Sequence, residues 1–355
     1  MRADLTSVTP AFNTDRDALA YCMLIYLLLA LPLFPPIADT LPKRAIYSAM
    51  PASFCDSKSL YKEIYEQKTD ADVVFVGSSM IWNSIDVPTL QKRLRAACGI
   101  DKTVVLLGHN LFGFDADYFL LHDLVQKRRI RLVMIQMPLD TGVSPWPHVL
   151  AETWFTMDDW KTICGPGMPL TAKIALYSQA VLGAPRKILS ILRKDAFGQI
   201  LNNWEERSGS AYHKVGAEFH PPPPDLVPEK LFYSSSPLSF DFAPKPTNTY
   251  QLYFLNKIIS LLKEHGVTVI CIHPPAFKEV KMTKVIEQGC WTKLLENHPD
   301  MFGVPGSSLF EGLSEEQAKR LFEDDHHLNA NGSVFFTEAI SGGVIHAYQR
   351  ATTIK

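Results

Sequence analysis

Short apolar runs alternate with helical patterns through much of the chain, and this alternation limits the fold more than any other feature. The runs carry many β-branched residues, and most are followed by a segment with helical spacing. Continuous apolar strands between amphipathic helices are typical of a parallel sheet covered on both faces. The sequence therefore predicts an α/β fold, a three-layer sandwich with a central parallel sheet. The predicted strands are 72–77, 103–108, 130–137 and 267–272. The predicted helices are 87–98, 115–129, 248–266, 283–298 and 332–350.

The alternation lapses between about 140 and 247, where prolines cluster at 220–228 and aromatic residues are frequent. This region is interpreted as an insertion with helices of its own, such as PLTAKIALYSQAVL and PRKILSILRK. Ligands bind beyond the carboxyl ends of the strands in open α/β sheets, so an insertion at that end favours substrate recognition. The α/β domain as a whole is predicted to cover residues 67–350.

The stretch from Ala18 to Ala38 contains no charged residue. It is long enough to cross an apolar bilayer core of about 30 Å as a helix. We therefore expect a short N-terminal tail (1–17), a single transmembrane anchor (18–38) and a tether (39–66). The alternative is a buried or interfacial helix, which the prolines near the end of the stretch favour. The flanking positive charges are balanced, so the positive-inside rule does not decide the orientation.

The charge balance argues against one class of partner. The chain has 35 Lys and Arg against 37 Asp and Glu, a formal net charge of -2. Nucleic-acid-binding domains usually carry a clear excess of positive charge. We therefore expect no nucleic-acid partner.

Gly77, Ser78 and Ser79 follow the first predicted strand. This order places a hydroxyl at the carboxyl edge of the sheet, on the turn into a helix whose first N–H groups could hold an oxyanion. A serine becomes a nucleophile when a base takes its proton. Ser79 is thus a candidate nucleophile, although glycine and serine are also ordinary turn and capping residues.

A second polar group, Glu323 to Asn329, precedes the last predicted helix and contains Asp324 and His327. An Asp three residues before a His can turn its carboxylate to the imidazole Nδ1 and leave Nε2 for a serine. The alternatives are a solvated capping loop or a divalent-metal loop. Because no further ligand cluster has suitable spacing, we expect no metal and no other cofactor.

Together these motifs resemble the SGNH/GDSL hydrolase family, from about residue 70 to 345. FVGSS resembles the block with the nucleophile, here Ser79. LLGHNLFG resembles the second block, with Gly113 at the oxyanion position. The D-D-H-H stretch, followed by L-N-x-x-G, resembles the closing block. The resemblance implies a triad of Ser79, Asp324 and His327, with backbone N–H groups of Ser79 and Gly113 in the oxyanion hole.

One block departs from the family pattern, because Leu139 or Asp140 stands where an Asn completes the oxyanion hole. Asn110 is the candidate for a third donor. The same departure occurs in the membrane-anchored branch of the family that this sequence resembles most. In that branch G-S-S replaces G-D-S, and its members serve in the acylation of surface polymers such as alginate and teichoic acids.

This resemblance implies a serine esterase or O-acyltransferase that acts on acyl esters of a cell-envelope glycan. The acyl group expected from the resemblance is acetyl. It implies a single-pass protein of the cytoplasmic membrane with its catalytic domain outside, and allows a membrane-bound acyltransferase as partner. His109, Asp140 and His273 are expected to contact substrate. The rival hypothesis is a non-catalytic glycan-binding or scaffold protein with the same fold.

Overall fold

The computed structural model describes eleven stretches of the chain. They are 14–30, 43–48, 50, 55–99, 101–110, 113–136, 161–165, 168–178, 249–281, 301–303 and 309–353.

The described elements are helical at first and then alternate between strands and helices. The first elements are α1 (Asp15–Ala30), α2 (Lys43–Ser48), α3 (Ser57–Tyr61) and a π-helical turn (Lys62–Glu66). They are followed by β1 (Ala71–Ser78), α4 (Ser79–Ser84), α5 (Val87–Cys98), β2 (Val104–His109), α6 (Phe114–Val125) and β3 (Ile130–Gln136). The last elements are α7 (Thr249–Glu264), β4 (Thr268–His273), a 3₁₀ helix (Phe277–Lys281), β5 (Met301–Gly303), α8 (Glu315–Lys319) and α9 (Ala330–Thr353).

The strands form one parallel sheet in the order β2-β1-β3-β4-β5. The predicted α/β class is confirmed, and each of the four predicted strands agrees with β1 to β4 to within one residue at either end. The three-residue β5 was not predicted. The predicted helices correspond to α5, α6, α7 and α9, but α6 ends four residues early, at Val125. The predicted helix 283–298 lies outside the described residues.

Helices cover both faces of the sheet, because successive strand residues point to opposite sides. Val74 and Val76 belong to a core shared with α6 and α7. Val73 and Phe75 belong to a second core shared with α4, α5 and α9. A strand buried on both faces needs apolar residues at every position, which explains the continuous apolar runs in the sequence.

Local signals set the bounds of α5. Asp86 caps its start by accepting a hydrogen bond from the Thr89 N–H at 2.9 Å, and Pro88 stands in the first turn. Gly99 ends the helix with φ at 74°, a conformation that glycine adopts without steric cost. The helix thus returns the chain to the start of β2, and the carboxyl ends of β1 and β2 meet at one edge.

The segment 39–66 was predicted as a tether, and where it is described this prediction is wrong. The side chains of Tyr47 and Ile64 are fully buried in the core that contains α6 and α7. Asp123 of α6 accepts hydrogen bonds from Lys43 Nζ at 3.1 Å and Tyr47 Oη at 3.0 Å. Isolated apolar residues at irregular spacing hold these short helices against the domain.

Within the described residues, no helix is long and apolar enough to cross a membrane. Helix α1 covers the first part of the predicted span 18–38, and 31–38 lie outside the described residues. The predicted transmembrane helix is therefore not supported by the part of the chain that the structure describes.

Two short stretches of the predicted insertion are described. Residues 170–178 are helical, as expected for PLTAKIALYSQAVL. Ile163, Met168 and Leu176 pack into the core of α6 and α7. The second predicted insertion helix, PRKILSILRK, lies outside the described residues.

Candidate active site

Ser79 is the first residue of α4, immediately after β1. Ser78 caps this helix, since its Oγ accepts a hydrogen bond from the Met80 N–H at 3.3 Å. Asn83 Nδ2 donates to the Ser79 carbonyl at 2.9 Å and holds the first turn from its other side. The N–H groups of a first helical turn have no partner within the helix, so Ser79 stands where backbone donors are available.

Ser79, His327 and Asp324 form a continuous chain of hydrogen bonds. Ser79 Oγ lies 2.8 Å from His327 Nε2, although the two residues are 248 positions apart. His327 Nδ1 lies 2.8 Å from Asp324 Oδ2. A carboxylate opposite Nδ1 favours the proton on that nitrogen, which leaves Nε2 to accept the hydroxyl proton of Ser79. This geometry is the one that a serine nucleophile, its base and a residue that orients the base would need.

Asp324 is held by its own loop. Its Oδ1 accepts hydrogen bonds from the backbone N–H groups of His326 at 2.7 Å and His327 at 2.8 Å. Burial by itself would raise the pKa of this carboxyl, but the hydrogen bonds from the His327 ring and the two N–H groups lower it. Asp324 therefore stays ionised and keeps its partner in one orientation.

The loop that carries Asp324 and His327 is closed on both sides. The Glu323 N–H donates to the His327 carbonyl at 2.8 Å. Asn329 Nδ2 donates to the Arg320 carbonyl at 2.8 Å, and Asn329 Oδ1 accepts from the Gly332 N–H at 3.0 Å. A Cβ at Gly332 would collide with the Leu321 carbonyl. These contacts give the L-N-x-x-G pattern a physical reason, because its Asn and Gly join the loop to the start of α9.

The predicted oxyanion residues lie at the same edge of the sheet. Asn110 follows β2, and Gly113 is the residue before α6. Strand β2 is the neighbour of β1, and Ser78 is in register with His109. The structure therefore brings Asn110 and Gly113 to the same edge of the sheet as β1, the strand that ends just before Ser79.

Two of the predicted substrate-contacting residues are buried. His109 is 1% exposed, and its Nε2 lies 2.9 Å from Asp117 Oδ1. Burial by itself would lower the pKa of this imidazole, but the hydrogen bond to Asp117 and its charge, together with the Asn110 carbonyl and Asp115, raise the pKa above its ordinary value. His273 is 2% exposed, and its Nε2 lies 3.0 Å from Glu279 Oε2. Both rings turn to internal carboxylates, which leaves them almost no surface for a substrate. Asp140 lies outside the described residues.

Sequence reasoning missed Gln136, the last residue of β3. Its Oε1 lies 2.7 Å from the Ser78 N and 2.8 Å from Ser78 Oγ. The signal was a polar residue that follows four consecutive apolar residues at the end of the strand IRLVMIQ. Such a residue at the carboxyl edge of a sheet, one strand away from a candidate nucleophile, marks a contact with that nucleophile's turn.

In the part of the chain that the structure describes, no group of three or more His, Cys, Asp and Glu side chains is arranged to hold a metal ion. No protein-family model matches the chain, and no curated protein matches it either.

Proposed function

We propose that this protein is an SGNH-type serine esterase or O-acyltransferase with Ser79 as nucleophile, His327 as base and Asp324 as the residue that orients the base. The observation that carries the proposal is the unbroken hydrogen-bond chain from Ser79 Oγ through His327 to Asp324, with both links at 2.8 Å. The three side chains come from segments far apart in the sequence, and in the fold they have the order and distances that acyl transfer to a serine requires.

In the proposed reaction, Ser79 Oγ attacks the carbonyl carbon of an acyl ester while His327 Nε2 takes the hydroxyl proton. The tetrahedral intermediate collapses as His327 returns the proton to the leaving alcohol, and the acyl group stays on Ser79. Water or a sugar hydroxyl then attacks the acyl-enzyme while His327 takes its proton. His327 returns that proton to Ser79 Oγ as the bond between Ser79 and the acyl group breaks, which releases the acid or the acylated sugar. The imidazolium formed in each step is stabilised by the ionised Asp324.

The oxyanion would be held by N–H groups at the carboxyl edge of the sheet. Ser79 supplies one from the first turn of α4, and Gly113 supplies another from the residue before α6. Asn110, at the end of β2, is the proposed third donor. Loss of one donor of this kind costs about 2.7–4 kcal/mol of transition-state stabilisation.

The proposed substrate is an acyl ester of a cell-envelope glycan. The side chains of His327 and Asp324 are 29% and 55% exposed, so the triad opens to the surface. A triad with two exposed side chains suits a polymer whose acyl groups project from a long chain. Hydrolysis and transfer share the same first half-reaction, and the acceptor that reaches the acyl-enzyme distinguishes them.

The proposed location is the cytoplasmic membrane, with attachment through residues 18–38 and the α/β domain outside the cell. Helix α1 exposes large apolar side chains around its surface, including Leu19, Leu24 and Leu28, each more than half exposed. Such a surface favours an apolar environment. Carbonate extraction of membranes tests this attachment: the full chain stays with the membrane, whereas a chain that starts at residue 39 is released.

Labelling with a fluorophosphonate probe tests the proposed chemistry, since the probe reacts with activated serines. We expect the wild type to label and Ser79→Ala not to label. Ser59→Ala, a change at an exposed serine, is the matched control and labels like the wild type. A folded wild type that does not label would contradict the enzymatic proposal and leave the scaffold hypothesis.

Turnover of an acetyl-ester substrate separates hydrolysis from transfer. The rates of acetate release and of acetylated-oligosaccharide formation are measured with and without an oligosaccharide acceptor. A transferase forms acetylated acceptor at the expense of free acetate, whereas an esterase releases acetate at the same rate in both cases.

A further inference from the structure

The carboxamide of Gln136 lies against the turn that presents Ser79. Its oxygen is 2.7 Å from the Ser78 backbone N and 2.8 Å from Ser78 Oγ. A backbone N–H can only donate, so the carboxamide atom that faces it is the oxygen. The Ser78 hydroxyl accepts from the Met80 N–H at 3.3 Å and donates its own proton to Gln136. One side-chain oxygen thus holds the residue before Ser79 by two hydrogen bonds.

Gly77 makes this close approach possible. Its φ is +156°, and a Cβ there would collide with Gln136 Cβ and lie only 2.6 Å from Gln136 Oε1. No other residue fits at this position without moving the carboxamide. Gly77 of the Gly-Ser-Ser sequence therefore leaves the space in which the Gln136 side chain packs against the end of β1.

The contact lies just past the end of the β1–β3 ladder. The last pair in register between these strands is Val76 and Ile135, and Gln136 itself is in register with Ile272 of β4. Ser78 thus lies beyond the residues that pair with β3, and on this side a side-chain oxygen accepts its N–H. Gln136 and Ser78 are 2% and 5% exposed, so water does not readily replace this acceptor.

Resting on the proposed function, we infer that Gln136 is a positioning residue for the nucleophile. By holding Ser78, it fixes the turn from which Ser79 presents its hydroxyl to His327. A rotation of the Ser78–Ser79 peptide would move Ser79 Oγ out of its 2.8 Å contact with His327 Nε2. This role differs from that of an oxyanion donor, because the Gln136 atom that faces the turn is an acceptor.

Two variants of equal length test this role. Gln136→Met keeps the shape and removes the acceptor, whereas Gln136→Glu keeps an oxygen in the same place. A misplacement of about 1 Å costs about 10²-fold in rate, so we expect Gln136→Met to slow fluorophosphonate labelling by about that factor. We expect Gln136→Glu to label within about tenfold of the wild type, because its carboxylate still accepts both hydrogen bonds. With an acetyl-ester substrate, the loss appears in kcat and not in KM.

A double-mutant cycle with Ser78→Ala tests the route of the effect. If Gln136 acts through Ser78, the double variant labels faster than the product of the two single losses predicts. Ser341→Ala is the control for stability, since it removes a buried hydrogen bond of α9 that does not touch the turn. We expect it to lower the unfolding temperature without slowing labelling.

The outcomes separate this inference from the proposed function. A wild type that does not label overturns the proposed function, and the inference with it. A wild type that labels together with a Gln136→Met that labels equally fast overturns the role of Gln136 alone. The role of Gln136 is also overturned if Ser341→Ala slows labelling as much as Gln136→Met does at the same unfolding temperature. Full additivity of Gln136→Met and Ser78→Ala in the cycle would overturn it too. If Gln136→Met does not fold, Ser78→Ala carries the test, with an expected loss of about tenfold, and unchanged labelling contradicts the inference.

Discussion

Three of the histidine–carboxylate pairs in the described part of the domain have a ring nitrogen within 3.0 Å of a carboxylate oxygen, and two of these three differ from the third in burial and in partners. His109 with Asp117 and His273 with Glu279 are buried, with no side chain more than 6% exposed. His327 with Asp324 lies at the surface, and a serine hydroxyl faces its second ring nitrogen. The chemical groups are the same in all three pairs.

The comparison shows that a histidine next to a carboxylate is not by itself a catalytic signal. The two buried pairs join the ends of β2 and β4 to the segments that follow them, since Asp117 belongs to α6 and Glu279 to the 3₁₀ helix. The exposed pair lies on a loop closed by hydrogen bonds, where a substrate can reach it. Access and a third group at Nε2 separate a candidate base from a structural histidine.

The largest expected effect comes from removing the hydroxyl of Ser79 or the imidazole of His327, the proposed nucleophile and base. Ser79→Ala and His327→Ala are each expected to lower kcat for ester hydrolysis by about 10⁶-fold, the size of such losses in serine hydrolases. The double variant is expected to be no worse than either single variant, because the two residues act as one unit. A loss of less than about tenfold in either variant would place the chemistry elsewhere.

Asp324→Asn sharpens the comparison at the carboxylate. The amide can still accept the backbone hydrogen bonds, but its NH₂ group faces His327 Nδ1 and favours the wrong tautomer. We expect kcat to fall by about 10⁴-fold with KM little changed. The unfolding free energy should change by less than about 1 kcal/mol, because the side chain is exposed.

Asp325→Asn is the matched control for that substitution, since this neighbouring side chain is also exposed. Its rate should stay close to that of the wild type. Equal losses in the two variants would mean that the charge of the loop, and not the contact of Asp324 with His327, supports the reaction.

Glu279→Leu tests a buried pair and should give the opposite result. The substitution leaves His273 Nε2 and the Ala276 N–H without their carboxylate acceptor. We expect a loss of about 1–3 kcal/mol in unfolding free energy, measured by urea denaturation, with labelling of Ser79 within about threefold of the wild type. Slowing as large as that of Asp324→Asn would show that the 3₁₀ helix reaches the triad through the Phe277 N–H, which donates to the Asp325 carbonyl at 3.0 Å.

The sequence predicted the strands well because each contains a run of four apolar residues. Ser79, Asp324 and His327 were singled out because their spacing resembles a family pattern. The local geometry at each site follows from neighbouring residues. Gly77, Ser78 and Ser79 form the turn from β1 into α4, and Asp324 contacts His327 because it lies three residues before it. The structure brings these distant segments together, and their catalytic roles remain predictions.

The remaining features depend on side-chain directions, which the sequence alone does not specify. His109 and His273 each end a strand, but strand position alone does not tell whether a ring faces solvent or a carboxylate eight or six residues later. Gln136 was missed because its contact depends on the register of β3 against β1. The segment 39–66 was misread because Tyr47 and Ile64 are buried by tertiary packing without a regular apolar period.

Asp123 is a buried carboxylate that, unlike Asp324, is expected to act in stability alone. Burial by itself would raise its pKa, but the neighbouring His122, Lys43 and Tyr65 lower it from 3.8 to about 2. The folded protein therefore takes up this proton less readily than the unfolded chain, and the group stabilises the fold fully above about pH 4. That contribution, about 2 kcal/mol, is lost as the pH falls from about 4 to about 2.

Urea unfolding of Asp123→Asn should show a deficit at neutral pH that shrinks over this same range. Asp101→Asn, at an exposed side chain paired with Arg95, should cost less than about 1 kcal/mol at neutral pH. A deficit in Asp123→Asn that stays constant down to about pH 2 would mean that shape and hydrogen bonding, and not charge, attach α2 to α6. Labelling of Ser79 at neutral pH should be the same in both variants, because neither carboxylate contacts the triad.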